Sequence, residues 1–287
     1  MPELPEVETV RRGLAPVLTG ARLARVEARR ADLRFPFPEG FVQRLTGAKI
    51  LRLDRRAKYL LAPLDRDETL IMHLGMTGRF EIAGAASARA PGAFALAQAP
   101  DPRHAHVVFR TDAGAIITFY DPRRFGYMDL AQTEGLCAHA WFAGLGPEPL
   151  SRDFDAAYLA RAFAGRRQPV KSALLDQRIV AGLGNIYVCE ALHHARIAPE
   201  RAAGSIARRR LERLAASVRE VLTEAIAAGG STLRDFAGAE GALGYFQHSF
   251  TVYGREGEAC LTASCRGRIE RTVQSGRSTF SCSRCQT

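Results

Sequence analysis

The chain has 287 residues, 47% of them hydrophobic, with 40 Lys and Arg against 30 Asp and Glu, for a formal net charge of +10. That length suits two domains, each with its own core, and the positive excess points to a polyanionic partner, nucleic acid first and an anionic membrane surface second. No apolar run reaches the ~18 residues that cross a bilayer and the first residues lack the basic, then apolar, pattern of a secretion signal, so we expect a cytoplasmic protein with no membrane attachment.

The opening run Met1-Pro2-Glu3-Leu4-Pro5-Glu6-Val7 admits two readings. As structure, Pro2 and Pro5 suit a first helical turn, where a missing N–H costs nothing, and Glu3, Glu6 and Glu8 suit the positive end of the helix dipole. Val7, Val10, Leu14 and Val17 recur at helical spacing and predict a helix over residues 3–19. As chemistry, a small Pro2 lets an aminopeptidase remove Met1 and leaves a secondary amine, unprotonated in useful fraction near neutrality because an α-amino pKa is about 7.7–8.0. Such an amine attacks a sugar aldehyde carbon to give an iminium ion, with Glu3 in reach to move a proton.

Residues 21–130 read mainly as strands, among them 22–28, 48–53, 59–62, 69–73, 105–109 and 115–120, short apolar or alternating runs parted by turn residues. Their spacing suits an antiparallel sandwich or flattened barrel. The Ala, Pro and Gly-rich stretch 83–102 reads as a surface loop. Two turns stand out. Met72-His73-Leu74-Gly75-Met76-Thr77-Gly78 ends a strand with a His and a Met between glycines, and Asp121-Pro122-Arg123-Arg124-Phe125-Gly126 sets two guanidinium groups beside a ring. An apolar wedge beside a cation is what enters a base stack and holds it open; core packing is the competing reading for Met76 and Phe125.

Residues 134–150, rich in Gly and Pro, read as a linker that follows an N-terminal domain of 1–133. Helices are then predicted from a Ser151 or Asp153 cap to Phe163, over 170–180, from an Asn185 cap to His194, and over 205–228, in which Arg208-Arg209-Arg210 reads as solvated. The turn Ala181-Gly182-Leu183-Gly184 brings backbone N–H groups and a helix dipole where a phosphate can approach. Residues 229–247 are too glycine-rich for a stable element and read as a lid loop that closes the helical domain, 151–247. Lysine occurs only as Lys49, Lys58 and Lys171, a hint that a compact ammonium is wanted at those places.

In a reducing compartment six cysteines are ligands or buried thiols rather than disulfides. Cys137 and Cys189 stand alone and read as core. Cys260-x4-Cys265, sixteen residues and Cys282-x2-Cys285 give two knuckles of four thiolates, the spacing of a structural tetrahedral zinc site, within a last domain of 248–287. Between the knuckles, 268–273 and 278–281 alternate as two strands joined by Gln274-Ser275-Gly276-Arg277, so that a hairpin pinned by metal presents Arg277 from its tip, a guanidinium suited to a phosphate.

These segments together resemble the formamidopyrimidine-DNA glycosylase family, bacterial enzymes that remove oxidised purines such as 8-oxoguanine. The likeness rests on Pro2-Glu3-Leu4-Pro5-Glu6-Val7-Glu8-Thr9-Val10, Arg56-Ala57-Lys58-Tyr59-Leu60, 73–78, 121–126, 182–187 and Gly276-Arg277-Ser278-Thr279-Phe280. It implies an α+β protein: an N-terminal helix plus antiparallel β-sandwich domain, and a C-terminal helix-two-turn-helix domain with a zinc-bound β-hairpin. It implies Pro2 as the nucleophile on C1′ of the damaged nucleotide and Glu3 as the acid that protonates the sugar ring oxygen. Lys58, His73, Asn185 and Arg277 match phosphate clamps, Lys58 and Arg277 within the catalytic set. Met76, Arg123 and Phe125 match residues that fill the vacated space in the duplex. Cys260, Cys265, Cys282 and Cys285 match the ligands of one Zn²⁺, although the family's common first knuckle is Cys-x2-Cys. Implied too are a lid over the extruded base at 231–247, damaged double-stranded DNA as partner, and action as a monomer.

Rival expectations are an endonuclease VIII-like glycosylase for oxidised pyrimidines, a non-catalytic zinc-ribbon DNA-binding protein, and a tautomerase that uses an N-terminal proline. Leu4, the Arg123 and Phe125 pair and the long lid favour the purine enzyme. The last two rivals leave Pro2 or the zinc hairpin without a purpose.

Overall fold

The structure, a computed structural model, describes residues 2–84, 101–231 and 245–287. The loop expected at 83–102 and the lid expected at 231–247 fall largely outside the described residues. The chain forms two compact units, one of residues 1–143 with 228–247 and one of residues 144–227 with 248–287.

The first unit opens with α1 (Leu4–Leu18). Val7, Val10, Leu14 and Leu18 are buried on one face, and Leu18 rather than Val17 completes the stripe. Strands β1 (Leu23–Ala28), β6 (Ala105–Thr111), β7 (Ile116–Tyr120) and β5 (Arg79–Ala83) form one antiparallel sheet in that order. Strands β2 (Asp54–Arg56), β3 (Tyr59–Pro63), β4 (Glu68–His73) and β8 (Tyr127–Gln132) form the other. Residues from both sheets and from α1 share one apolar core, including Val7, Val26, Leu60, Met72, Phe80 and Phe119. This is the expected sandwich, with β7 alternating between buried and half-buried residues and β3, β4 and β6 buried at nearly every position.

Between the strands the sequence reading needs correction. Residues 48–53 make only isolated bridges, Arg22 with Lys49 and Ile50 with Leu64, and the regular strand begins at Asp54. The short helix α2 (Phe41–Leu45) and strands β5 and β8 were not singled out, being brief segments held by neighbours rather than by their own pattern. Cys137, expected in the core, is exposed on a 3₁₀ turn at Leu136–Ala138, which has no buried face.

In the second unit α3 (Ala156–Phe163) starts one turn later than expected. Its cap is Asp155, whose carboxylate accepts the Tyr158 N–H at 2.6 Å, in place of Ser151 or Asp153. Helix α4 (Val170–Leu175) stops short of Val180, where Asp176 leaves the helix and accepts the Arg178 N–H at 3.0 Å. Gln177 then ties the glycine turn. Its amide donates to the Leu183 carbonyl at 2.9 Å and its oxygen accepts the Gly182 N–H at 2.9 Å. Helix α5 (Asn185–His194) is buried from Ile186 to His193, and the amphipathic α6 (Arg208–Ala227) packs beside it. Strands β9 (Glu270–Gln274) and β10 (Arg277–Ser281) form the hairpin, joined through Ser275 and Gly276, both at positive φ. Among the described residues no helix is long and apolar enough to cross a membrane.

Candidate active site

Pro2 and Glu3 are buried at the head of α1. Glu3 is the N-cap residue, its backbone N–H donating to Glu6 Oε2 at 2.8 Å in a reciprocal capping box. Glu6 also accepts the Ser231 N–H at 2.9 Å and the Ser231 hydroxyl at 3.1 Å, which ties the start of the segment beyond Gly230 to this helix end. The capping reading is therefore correct as far as it goes, and it leaves Pro2 at the positive pole of a helix.

One turn along α1, the Glu8 carboxylate binds Arg11 at 2.8 Å, Arg12 at 2.9 Å and Arg55 of β2 at 3.3 Å, and Arg11 also donates to the Leu53 carbonyl at 3.1 Å. Burial by itself raises the Glu8 pKa, but the arginines' hydrogen bonds and field overcome it and bring the group down to about 2. These contacts fasten α1 to the β2–β3 hairpin, whose two-residue turn is Ala57 and Lys58. Lys58 is 7% exposed and follows Ala57, which sits in the left-handed region at φ 52°.

Lys58 precedes Tyr59, and Tyr59, His73 and Tyr127 stand abreast on β3, β4 and β8. The His73 ring stacks on Tyr127 with centroids 4.6 Å apart and lies 4.9 Å from Tyr59. Trp141 extends the group, 4.5 Å from Tyr127 and 6.1 Å from Tyr59. His73 Nδ1 accepts the Gly75 N–H at 3.0 Å. Burial, reinforced by the charges of Lys58 and Arg34, lowers the His73 pKa to about 3. A neutral ring that accepts at Nδ1 carries its proton at Nε2, so His73 offers one fixed N–H donor.

The two turns picked from the sequence meet. A Cβ on Gly75, whose φ is 62°, would lie 2.3 Å from the Gly126 nitrogen and the Phe125 carbonyl carbon, so only glycine allows this approach. Asp121 is fully buried, accepts the Thr77 hydroxyl, and takes the Gly126 N–H at 2.7 Å. Arg123 N–H donates to Thr77 at 3.3 Å. Above this clasp the Arg123 guanidinium lies 4.7 Å over the ring of Phe125, itself 41% exposed, and Met76 is half-buried beside Gly75. Met76, Arg123 and Phe125 therefore share one rigid rim, and core packing, the competing reading of Phe125, does not describe it.

In the second unit Asn185 and Lys171 converge on the Ser278 carbonyl, next along the chain from Arg277. Asn185 does not cap α5; Gly184 does. The Asn185 side chain instead donates to the Ser278 carbonyl at 2.9 Å, its Oδ1 buried without a hydrogen-bond partner. Arg277 is exposed as the first residue of β10, paired with Gln274, rather than in the turn itself. Sequence reasoning flagged Lys171 without giving it a task. It is 1% exposed, and its Nζ donates to the Ser278 carbonyl at 2.9 Å and Thr279 Oγ1 at 2.7 Å, fixing the strand that carries Arg277. Arg34, Tyr59, Tyr127, Trp141 and Gln177 were missed. Their tasks arise from strand register and turn closure, which no local motif announces.

The four cysteines can hold a metal. Sγ atoms of Cys260, Cys265, Cys282 and Cys285 all lie within 4.8 Å of one another, with Cys260 to Cys285 at 3.6 Å and Cys265 to Cys282 at 3.8 Å. A tetrahedral ion with ~2.3 Å bonds to sulfur sets its ligands about 3.8 Å apart, whereas a disulfide needs ~2.05 Å. The wider first knuckle is thus compatible with one ion.

Comparison with known proteins agrees along the chain. Family models match for the formamidopyrimidine-DNA glycosylase N-terminal domain over residues 1–128, its H2TH domain over 145–237, and a zinc finger found in FPG and IleRS over 257–287. The formamidopyrimidine-DNA glycosylase of Phenylobacterium zucineum is 68% identical over 286 residues, covering 100% of both chains. The chain belongs to the formamidopyrimidine-DNA glycosylase family. Another member, from Caulobacter vibrioides, is 65% identical over the same share of both chains. Among solved structures, a Lactococcus lactis FPG mutant in complex with a Fapy-dG containing DNA matches with a TM-score of 0.86 at 34% identity, over 100% of both chains. The MutM (FPG) protein of Thermus thermophilus matches at 0.84 and 38% identity, over 99% of this chain and 98% of that one.

Proposed function

We propose that this chain excises oxidised purines, 8-oxoguanine and formamidopyrimidines, from duplex DNA in base excision repair and then cleaves the strand at the resulting site. The family membership carries the glycosylase activity. The observation that carries the residue assignment is the burial of Pro2 and Glu3 at the positive end of α1, beside the hairpin that holds Lys58.

In this reading removal of Met1 frees the Pro2 nitrogen. It attacks C1′ of an extruded nucleotide; the N-glycosidic bond breaks and the base leaves with a proton. Glu3 protonates the ring oxygen, the ring opens, and a Schiff base joins Pro2 to C1′. That electron sink lets the 3′ and then the 5′ phosphate leave by successive β and δ eliminations. Lys58, His73, Asn185 and Arg277 hold phosphates, His73 through its Nε2–H. Met76, Arg123 and Phe125 fill the space left by the extruded base and offset the few kcal/mol of unstacking. The cysteine cluster holds one Zn²⁺, which supplies structure only. We further propose that the enzyme works as a monomer on DNA in the bacterial cytoplasm.

The test combines mass analysis of the mature N-terminus with borohydride trapping on a duplex carrying 8-oxoguanine. A proline terminus and a covalent adduct are expected, the adduct mapping to the N-terminal peptide that begins at Pro2. A retained methionine with undiminished excision rejects the Pro2 assignment, and preferential release of thymine glycol rejects the purine assignment.

A further inference from the structure

Helix α5 carries a buried polar chain that leads into the cysteine cluster, and the excision chemistry does not use it. Glu190, 1% exposed, accepts the backbone N–H groups of Thr251 at 2.8 Å, Val252 at 3.0 Å and Tyr253 at 2.7 Å, together with the Thr251 hydroxyl at 2.6 Å. That hydroxyl has one proton and gives it to Glu190. Its oxygen is left to accept the Nδ1–H of His193, 3.0 Å away. The other ring nitrogen, Nε2, faces Cys260 Sγ at 3.5 Å and Thr262 Oγ1 at 3.4 Å. His193 is itself 5% exposed.

The ring thus has both ends occupied and little freedom to turn. One end is aimed by a carboxylate and a hydroxyl on the protein side, and the other touches a cysteine and a residue of the widened first knuckle. Thr262 is one of the four residues between Cys260 and Cys265, so the knuckle itself supplies the hydroxyl that meets His193. Val252, Ile269 and Phe280 pack around the cysteines. A polar side chain that enters such a pocket and touches a metal ligand sets where that ligand stands.

We propose that His193 is a positioning residue for the metal centre. It meets the Thr262 hydroxyl at Nε2 and so holds the Cys-x4-Cys knuckle, and Cys260 with it, against α5 and slows loss of the ion. The inference rests on the reading of the cluster as a zinc site. It does not concern Pro2 chemistry, and its readout is metal retention.

The experiment measures zinc content and then the rate of zinc transfer from the full-length protein to a colorimetric chelator. Wild type is compared with His193→Asn, whose amide reaches the Nδ1 position and keeps Thr251, and with His193→Gln, whose amide reaches the Nε2 position. We expect zinc release about 10–100-fold faster in His193→Asn, with His193→Gln closer to wild type. Equal release rates in all three proteins, or equal acceleration in both variants, overturn the inference. Should His193→Asn fail to fold, Thr262→Val leaves α5 untouched and decides in its place: faster release supports the inference and a wild-type rate overturns it. A wild-type protein that carries no zinc would sink the zinc reading instead, an outcome distinct from zinc held equally well by every variant.

Discussion

The two units hold their candidate residues by different means. In the first, Lys58, His73, Met76, Arg123 and Phe125 stand on paired strands or the turns that join them, so their placement follows from backbone ladders above a large apolar core. In the second, Arg277 stands on a two-stranded hairpin supported by Lys171, Asn185 and four cysteines. A lone hairpin is marginal in water. The first arrangement is lost only when the sandwich gives way, while the second depends on one ion and a few side chains.

Metal removal is the largest lever on that contrast. Structural zinc contributes on the order of 10–16 kcal/mol to the folding of small fingers. Chelation should therefore abolish amide-exchange protection in β9 and β10 and leave β3, β4 and β8 protected. Protection that survives in the hairpin, or that fails in both units together, would break the comparison. Next in size is Gly75→Ala. The new methyl meets backbone at 2.3 Å and the residue must hold φ 62°, which together cost about 3 kcal/mol. The melting temperature of the first unit should fall by roughly 6–12 °C, with the second unit's transition unmoved in calorimetry.

A smaller effect concerns acid. The folded pKa of Glu8, about 2, lies below its ordinary value of 4.5, so its contribution to stability is complete above pH 4.5 and is lost as pH falls towards 2. Glu8→Gln should flatten that part of the stability curve in urea titrations, and an unchanged acid limb would show that its arginines contribute nothing. The smallest expected effect is an absence. His73 has a folded pKa of about 3 against an ordinary 6.5, so its ring carbon proton signals should not titrate between pH 5 and pH 9. A midpoint near 6.5 would mean that the ring is not enclosed as described.

Much of this was legible in the sequence because it is local. Helix α1 announced itself through Val7, Val10 and Leu14, and the cysteine spacing announced the metal cluster. The turns around Met76 and Phe125 were found from glycines and a Pro-Arg-Arg-Phe run, but not the reason that they form one rim. That reason is the fit of Gly75 against Gly126, two residues far apart in the chain. Register is equally invisible: nothing in β3, β4 or β8 taken singly says that Tyr59, His73 and Tyr127 align. Helix ends were the weakest part. Asp155 displaced two plausible caps, and Gly184 left the Asn185 side chain for a tertiary contact, because caps are chosen by where the chain arrives as much as by side-chain type.

The ring group beside His73 has a practical corollary. Trp141 is the sole tryptophan of the chain, and it packs against Tyr127 and Tyr59 within the first unit. Emission excited at the red edge of the absorption band, where tyrosine does not absorb, therefore comes from a single indole lodged beside a proposed phosphate contact. The molecule carries its own fluorophore, with no need for a dye or a fused tag. Stopped-flow traces of that signal would time the engagement of DNA at this face, separately from events in the hairpin.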